Sequence, residues 1–301
     1  MEYKHVDGIK ISNVLYEELN KYLSQQQKVP TIVDISIGDD LGGLLYSKMK
    51  KKKIEEKTNI SFKSIHFNNI DYSELQSHII NLNNNEHITG IMLQLPLPIN
   101  LKSHEREILE LIKPCKDVDG LTSTSAGLLS VGENCLIPCT ALGIETILKV
   151  YDVLLEGKKV AIINRSNIVG KPLAQLMLRN NATPIVCHSK TNDLRTITND
   201  CDVIVVALNK REYIDDTYIS NGSVVIDVGV HKNEFNKTVG DVDFTKVAPK
   251  TTLITPPTGA VGPMTICMLA YNSAIGMYGQ EVNEVLNTGI VKAKKLIKKS
   301  Q

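Results

Sequence analysis

The chain has 301 residues, 42% hydrophobic and 22% charged, with a formal net charge of +1. That length holds two ordinary domains or one large one, with a core that needs neither disulfides nor metals. The near-zero charge gives no global field for nucleic acid. No apolar run reaches membrane length, and the residues after Met1 are amphipathic, so the expected address is cytoplasmic with no membrane contact.

Ile11–Leu23 has helical spacing of apolar residues and ends at a Gln run. Thr31–Ile37 predicts a buried strand closed by Gly38-Asp39-Asp40, and Leu44–Lys57 a basic helix. Ser61–Phe67 alternates as a strand, Asp71–Leu82 is a helix stopped by Asn83-Asn84-Asn85, and Ile91–Leu95 is a strand running into Pro96. A helix follows over Ser103–Ile112. This βαβα alternation predicts a mostly parallel sheet with helices on both faces. The alternation restarts after Pro138, with helices at Ala141–Leu155 and Gly170–Arg179. Strands are expected at Lys159–Ile163, Pro184–Cys187, Asp202–Ala207, Ser223–Val228 and Thr252–Ile254, a doubly wound unit of five. Met264–Tyr278 is a helix expected to return to the first domain, and the last dozen Lys-rich residues resemble a solvated or frayed helix end.

Lys158–Leu178 is a strand, a tight loop and a helix, a junction that presents backbone N–H groups and a positive helix end to a phosphate. Gly170 permits close approach of backbone to ligand, and Pro172 suits the first helical turn. Gly-x-Gly-x-x-Gly is absent, so an ordinary strand-to-helix turn stays open as a reading. The next strand ends in His188-Ser189-Lys190-Thr191 with no acid for a ribose 2′-hydroxyl, and Ser189 and Arg165 reach toward a 2′-phosphate, which favours NADP over NAD.

In the first half, Tyr46 and Lys50 share one helix face. A lysine partly desolvated beside a phenol can serve as general base or acid, but Lys48, Lys51, Lys52 and Lys53 surround it and spacing alone does not choose among them. Gln94 ends an apolar strand, where parallel sheets bind ligands. Asp117 and Asp119 flank Val118, and alternation points both to one side, for acid–base work, a metal, or two hydrogen bonds from a guanidine-like heterocycle edge. The six cysteines form no Cys-x-x-Cys pair, and Cys135 with Cys139 supplies only two zinc ligands, so reduced, mostly buried thiols and no metal are expected.

Together these segments resemble the bifunctional methylenetetrahydrofolate dehydrogenase/cyclohydrolase family over nearly the whole chain. The resemblance rests on GDD…Y…K (Gly38–Lys50), QLPLP (Gln94–Pro98), KDVDG (Lys116–Gly120), PCT (Pro138–Thr140) and RSNIVGKP (Arg165–Pro172). It continues through CHSKT (Cys187–Thr191), IDVG (Ile226–Gly229), VGDV (Val239–Val242) and VGPMT (Val261–Thr265). It implies an α/β protein of two domains with the active-site cleft between them: an αβα folate-binding catalytic domain (1–140 and 268–301) and a Rossmann-like NADP-binding domain (141–267). It implies Lys50 as the catalytic lysine, with Tyr46 beside it, Gln94 orienting it and Asp119 on the pterin edge. Leu95, Pro96, Gly259 and Pro263 complete the folate contacts. Asn164, Arg165, Ser166, Ile168, Gly170, Pro172, His188, Ser189 and Val230 would hold NADP. The implied reaction oxidises 5,10-methylenetetrahydrofolate with NADP and hydrolyses the methenyl product to 10-formyltetrahydrofolate, in one-carbon metabolism, by a homodimer without nucleic acid.

The chain departs from the family pattern at several positions. Gly43 stands where a Ser is common, Asn164 where a Gly precedes Arg165, and Ala141-Leu142 where a Pro and a basic residue follow PCT. Ser125 and Leu128 replace an Asn and an Arg, Asn209 and Arg211 a Gly and a Pro, and Thr258 and Ala260 alter a Pro-Gly-Gly loop. Asn164 and Asn209 put side chains near the dinucleotide, so a cyclohydrolase with weakened dehydrogenase and a non-catalytic folate- or NADP-binding paralogue stand as alternatives. A shikimate or amino-acid dehydrogenase would share the two-domain logic but leave QLPLP and VGPMT without a reason.

Overall fold

A computed structural model of the protein describes residues 3–299. In chain order the strands are β1 Lys4–His5, β2 Thr31–Ile37, β3 Ser61–Phe67, β4 Gly90–Leu93, β5 Lys159–Ile163, β6 Thr183–Cys187, β7 Val203–Val206, β8 Ser223–Asp227, β9 His231–Lys232, β10 Thr238–Val239 and β11 Thr251–Ile254. The helices are α1 Gly8–Leu23, α2 Leu41–Lys57, α3 Tyr72–Asn84, α4 Glu105–Glu110, α5 Ser123–Ser130, α6 Cys139–Val150, α7 Gly170–Arg179, α8 Leu194–Asn199, α9 Phe244–Val247, α10 Val261–Tyr278 and α11 Val282–Lys298. The chain forms two compact units. One comprises Asn13–Cys139 and Ile266–Gly289; the other comprises the residues up to Ser12, Thr140–Thr265 and the residues from Ile290 on.

The first unit is built on a three-stranded parallel sheet in the order β3-β2-β4. The β-branched run of Thr31–Ile37 suits a central strand covered on both faces. Val33, Ile35 and Ile37 join Ile91 and Leu93 on one face, where Leu75 and Ile79 of α3 and Ile108 of α4 complete a buried cluster. The alternate residues Asp34 and Ser36, with Met92 of β4, fall on the opposite face. Asp71 caps α3 by accepting a hydrogen bond from Glu74 N at 2.8 Å. The Asn run does not stop α3 at Leu82. Asn83 is buried as part of the helix, donating to Leu111 O at 2.6 Å and accepting from Lys113 N at 3.0 Å.

The second unit carries a six-stranded sheet in the order β1-β11-β8-β7-β5-β6, with all its strand pairs parallel. From β5 the chain adds β6 on one side and then crosses to β7 on the other, so the strand order reverses at β5. In such sheets the crevice at the carboxyl ends of the strands flanking the reversal is the ligand site. The sixth strand beyond the five expected is β1, two residues paired with Leu253 and Ile254 and too short to leave a periodic signal. The C-terminal helix differs from the frayed end expected of its lysines. In α11, Val282, Leu286, Ile290, Ala293 and Ile297 are all buried, a continuous apolar stripe, and Lys298 pairs with Asp152 at 2.7 Å. The outermost part of that expectation, residues 300 and 301, lies outside the described residues, as do residues 1 and 2 of the expected first domain.

Candidate active site

The polar face of the three-stranded sheet lies under α2. Asp34 is 1% exposed in the middle of β2, in register with Met92. Gln94, one residue past the end of β4, donates from Nε2 to Asp34 Oδ1 at 2.8 Å, and Ser47 of α2 donates from Oγ to Oδ2. One turn on from Ser47, Lys50 is 8% exposed. Its Nζ lies 3.5 Å from Met92 Sδ and 4.6 Å from the centre of the Tyr46 ring. Ser47, Lys50 and Ile54 are the buried residues of α2, so burial separates Lys50 from the other lysines of the run. Lys52 instead pairs with Glu56 at 3.8 Å on the outer face.

The two aspartates that alternation placed side by side have different surroundings. Asp117 is buried and accepts from Leu121 N at 3.0 Å, Thr122 N at 2.8 Å and Ser125 Oγ at 2.8 Å, so its carboxylate is consumed in holding the start of α5. That gives Ser125, one of the departures from the family pattern, a structural partner. Asp119 makes no such turn and stays partly exposed. Burial of its carboxyl raises its pKa to about 6, with Lys50 opposing the rise and Asp117 and Asp34 adding to it. Tyr46 has its hydroxyl pKa raised by burial and by the nearby Cys139 and Asp119. The turn after Asp119 requires glycine: Gly120 has φ +67°, and a Cβ there would lie 2.7 Å from Leu136 O and from Pro138 N. Asn272 of α10 ties this region from behind, donating from Nδ2 to Val118 O and Ile137 O, each at 2.8 Å. Among the described residues no group of three or more His, Cys, Asp or Glu is placed to hold a metal ion.

Leu95 and Pro96 continue from Gln94, Leu95 half-buried and Pro96 exposed. Gly259 and Pro263 belong to the second unit. Gly259 has φ +80° and accepts from Ile9 N at 3.1 Å, and Pro263 sits in the first turn of α10.

In the second unit the turn between β5 and α7 is organised by Asn164. Its Oδ1 accepts from Ser166 N at 2.8 Å, Ser166 Oγ at 2.7 Å and Gly170 N at 3.0 Å, and its Nδ2 donates to Ala207 O at 2.6 Å. The side chain therefore links the turn after β5 to the loop after β7, the two loops that flank the reversal in strand order. Gly170 passes so near that a Cβ would lie 2.1 Å from Asn164 O, and Pro172 is buried in the first turn of α7. Arg165 and Ser189 are exposed, and Ile168 and Val230 are 42% and 70% exposed. His188 accepts from Lys190 N at Nδ1, 3.2 Å away, which shapes the turn after β6. Asn209 has φ +55°, the backbone state that glycine takes most readily.

Sequence reasoning missed Asp34, Ser47, Asn272 and Asp241 as organisers. Asp34 left one usable signal, a lone carboxylate inside an otherwise apolar strand, which demands partners when buried. Asp241 was visible only as part of the VGDV motif.

Residues 6–119 match the family described as the tetrahydrofolate dehydrogenase/cyclohydrolase catalytic domain, and residues 138–280 match its NAD(P)-binding domain. The bifunctional protein FolD of Lachnoclostridium phytofermentans is 41% identical over 277 residues, covering 90% of this chain and 96% of that protein. The FolD protein of Campylobacter hominis is 43% identical over 271 residues, covering 89% and 95%. Among solved structures, the methylenetetrahydrofolate dehydrogenase/cyclohydrolase FolD of Campylobacter jejuni superposes with a TM-score of 0.85 at 38% identity, covering 91% of this chain and 98% of that one. The Trypanosoma brucei FolD, complexed with NADP cofactor and an inhibitor, superposes with a TM-score of 0.85 at 29% identity, covering 92% and 97%. With both domains matched in order and relatives at this identity along most of its length, the chain belongs to the tetrahydrofolate dehydrogenase/cyclohydrolase family.

Proposed function

We propose that the protein oxidises 5,10-methylenetetrahydrofolate to the 5,10-methenyl form with NADP and hydrolyses that cation to 10-formyltetrahydrofolate. The observation that carries the hydrolytic half is the burial of Lys50 beside the Tyr46 ring, Met92 and the Asp119 carboxylate. Water attacking the methenyl carbon must lose a proton, and ring opening must deliver one to the departing nitrogen. Lys50 accepts the first and returns it to that nitrogen, and the remaining hydroxyl proton is released to solvent as the formyl C=O forms. The Tyr46 ring face and the Asp119 carboxylate stabilise the ammonium formed in between. Gln94 orients the lysine, and Leu95 and Pro96 add folate contacts from the same unit. Folate is handled by residues 1–140 and 268–301 and the nucleotide by 141–267, in a cytoplasmic homodimer that takes no nucleic acid.

Asp119 accepts two hydrogen bonds from the pterin amidine edge, which requires its ionised form. With its pKa at about 6, the carboxylate is charged above that pH and progressively neutral below it. Folate affinity therefore weakens as pH falls through about 6, and the inflection disappears in Asp119→Asn. Titrating a tetrahydrofolate analogue by fluorescence from pH 5 to 8 reads both results. An inflection that persists in the Asn variant would remove Asp119 from the pterin.

The second unit fits a dinucleotide phosphate: the strand order reverses at β5, backbone passes close at Gly170, and Arg165 and Ser189 stand exposed beyond β5 and β6. Bound NADP supplies the hydride acceptor. Asn164, Ser166, Gly170 and Pro172 shape the turn that meets its phosphates, Arg165 and Ser189 its 2′-phosphate, and Ile168, His188 and Val230 its flanks. Because Gly170 N is already held by Asn164, side chains carry much of the phosphate recognition here. Arg165→Ala is expected to weaken NADP binding about tenfold to a hundredfold and NAD binding hardly at all, the value of a charge-assisted bond to the extra phosphate. Calorimetry with both dinucleotides checks it, and equal losses would place Arg165 elsewhere on the cofactor.

The whole reading is tested by methenyl absorbance with purified protein, first with methenyl substrate alone, then with methylene substrate and NADP. Decay above buffer together with NADP-dependent formation supports both halves. Absence of both sinks the reading.

A further inference from the structure

Asp34 plays no part in the roles assigned above, yet it is the most enclosed charged group near Lys50. We propose that Asp34 is a positioning residue for the hydrolytic step, fixing the amide of Gln94 and supplying the negative charge against which Lys50 takes up its proton; this rests on the function proposed above.

The geometry supports each half. An ionised carboxylate only accepts hydrogen bonds, so at 2.8 Å from Asp34 Oδ1 the Gln94 group must be the NH₂. That settles the orientation of an otherwise reversible amide and turns Gln94 Oε1 away from Asp34, free to accept a proton-bearing partner. The second oxygen is held by Ser47, one turn before Lys50 on the same helix. Asp34 is in register with Met92, whose sulfur touches Lys50 Nζ at 3.5 Å, so carboxylate and amine share one face of the sheet. Lys50 acts on the Asp34 carboxyl electrostatically, opposing the rise in pKa that burial causes.

Structure alone gives no reason for a carboxylate here. Val33 and Ile35 on either side of it are apolar, and an aliphatic side chain would fill the space without the desolvation penalty of a buried charge. The other groups facing this site are Asp119, with Asp117 behind it, Tyr46 from α2 and Cys139 from α6. On β3, His66 meets Ser36 at 3.1 Å on the same sheet face.

The test uses the full chain and Asp34→Asn, which keeps the volume, with Asp34→Val as the apolar alternative. Circular dichroism establishes which of them folds. Hydrolysis of methenyltetrahydrofolate by the unaltered protein comes first; if it does not exceed buffer, the function proposed above fails and Asp34 is not at issue. Where it does, removing the charge loosens the Gln94 amide beside Lys50, and kcat in a folded variant falls about tenfold with KM little changed. Adding Gln94→Ala to Asp34→Asn lowers kcat no further than Gln94→Ala alone. A merely structural role would lower melting temperature and would multiply with Gln94→Ala. An unchanged kcat in a folded variant, or losses that multiply in the double variant, overturns the proposal.

Discussion

Exchanging Lys50 for Met is expected to lower methenyl hydrolysis by about 10²- to 10⁴-fold, the usual range for loss of a positioned proton carrier. Met keeps the length and apolar character of the stem, which is the part packed within the unit, and removes only Nζ. The site around it then retains Met92, the Tyr46 ring and the Asp34–Gln94–Ser47 set, so the local fold has little reason to rearrange. Hydride transfer depends chiefly on holding donor and acceptor close, and it is expected to fall far less. Lys52→Met provides the comparison: Lys52 lies on the outer face, paired with Glu56, and its loss leaves both reactions intact. The measurement is methenyl decay and NADP-dependent methenyl formation for each variant. Hydrolysis surviving in Lys50→Met would transfer the proton shuttle to another group, with Asp119 the next in reach.

Why spacing could not single out Lys50 is visible in α2. Its polarity runs opposite to that of an ordinary surface helix: Leu41, Leu45 and Met49 are 73%, 67% and 49% exposed, while Ser47 and Lys50 point inward. Apolar periodicity therefore misleads on this helix, and only the packing, or the family motif, distinguishes one lysine from its neighbours. The strands of the same unit were far more legible. Ser61–Phe67, an edge strand with Ser61, Lys63, Ser64 and His66 exposed, has the bounds its alternation predicts. Thr31–Ile37 has the bounds its β-branched residues predict, because parallel pairing with both faces covered leaves a strong composition signal. The same run concealed Asp34. Its partners Ser47 and Gln94 are 13 and 60 residues away in the chain and are brought to it by strand register and by the docking of α2. Asp117 and Asp119 show the converse. Their spacing suggested a pair, but the turn at Gly120 and the start of α5 give them separate tasks. In the second unit the bounds of Lys159–Ile163 and Gly170–Arg179 were legible, whereas β1 and the β9–β10 hairpin, at two residues a strand, were too short for any periodic signal.

The second large effect is expected at Asp241. Its carboxylate is fully buried and serves as the common acceptor for the loop after β7: Leu208 N at 2.6 Å, Asn209 N at 3.2 Å and Lys210 N at 2.7 Å. His231, after β8, places Nε2 2.7 Å from the same carboxylate. Asp227 at the end of β8 supports it, accepting from Asp241 N at 3.2 Å, Val242 N at 3.0 Å and Gly229 N at 2.9 Å. The packing leaves no slack, since a Cβ on Gly229 would lie 2.4 Å from Asp241 Cγ. Asp241→Ala leaves three part-buried backbone N–H groups without their acceptor, at about 1–3 kcal/mol for each that water does not reach. Solvent access at the exposed Asn209 and Lys210 brings the expected loss of folding stability to about 2–4 kcal/mol, read as a lower midpoint in urea. These loops sit at the carboxyl ends of β7 and β8, where the second unit is proposed to receive the dinucleotide. The same substitution is therefore expected to reduce NADP-dependent oxidation about 100-fold, while the residues proposed for hydrolysis in the first unit keep their own supports. Comparing the two activities in the folded variant separates loop positioning from general damage. A parallel fall in both would mean that Asp241 serves stability alone, and oxidation left at its original rate would mean that the loop after β7 takes no part in placing the cofactor.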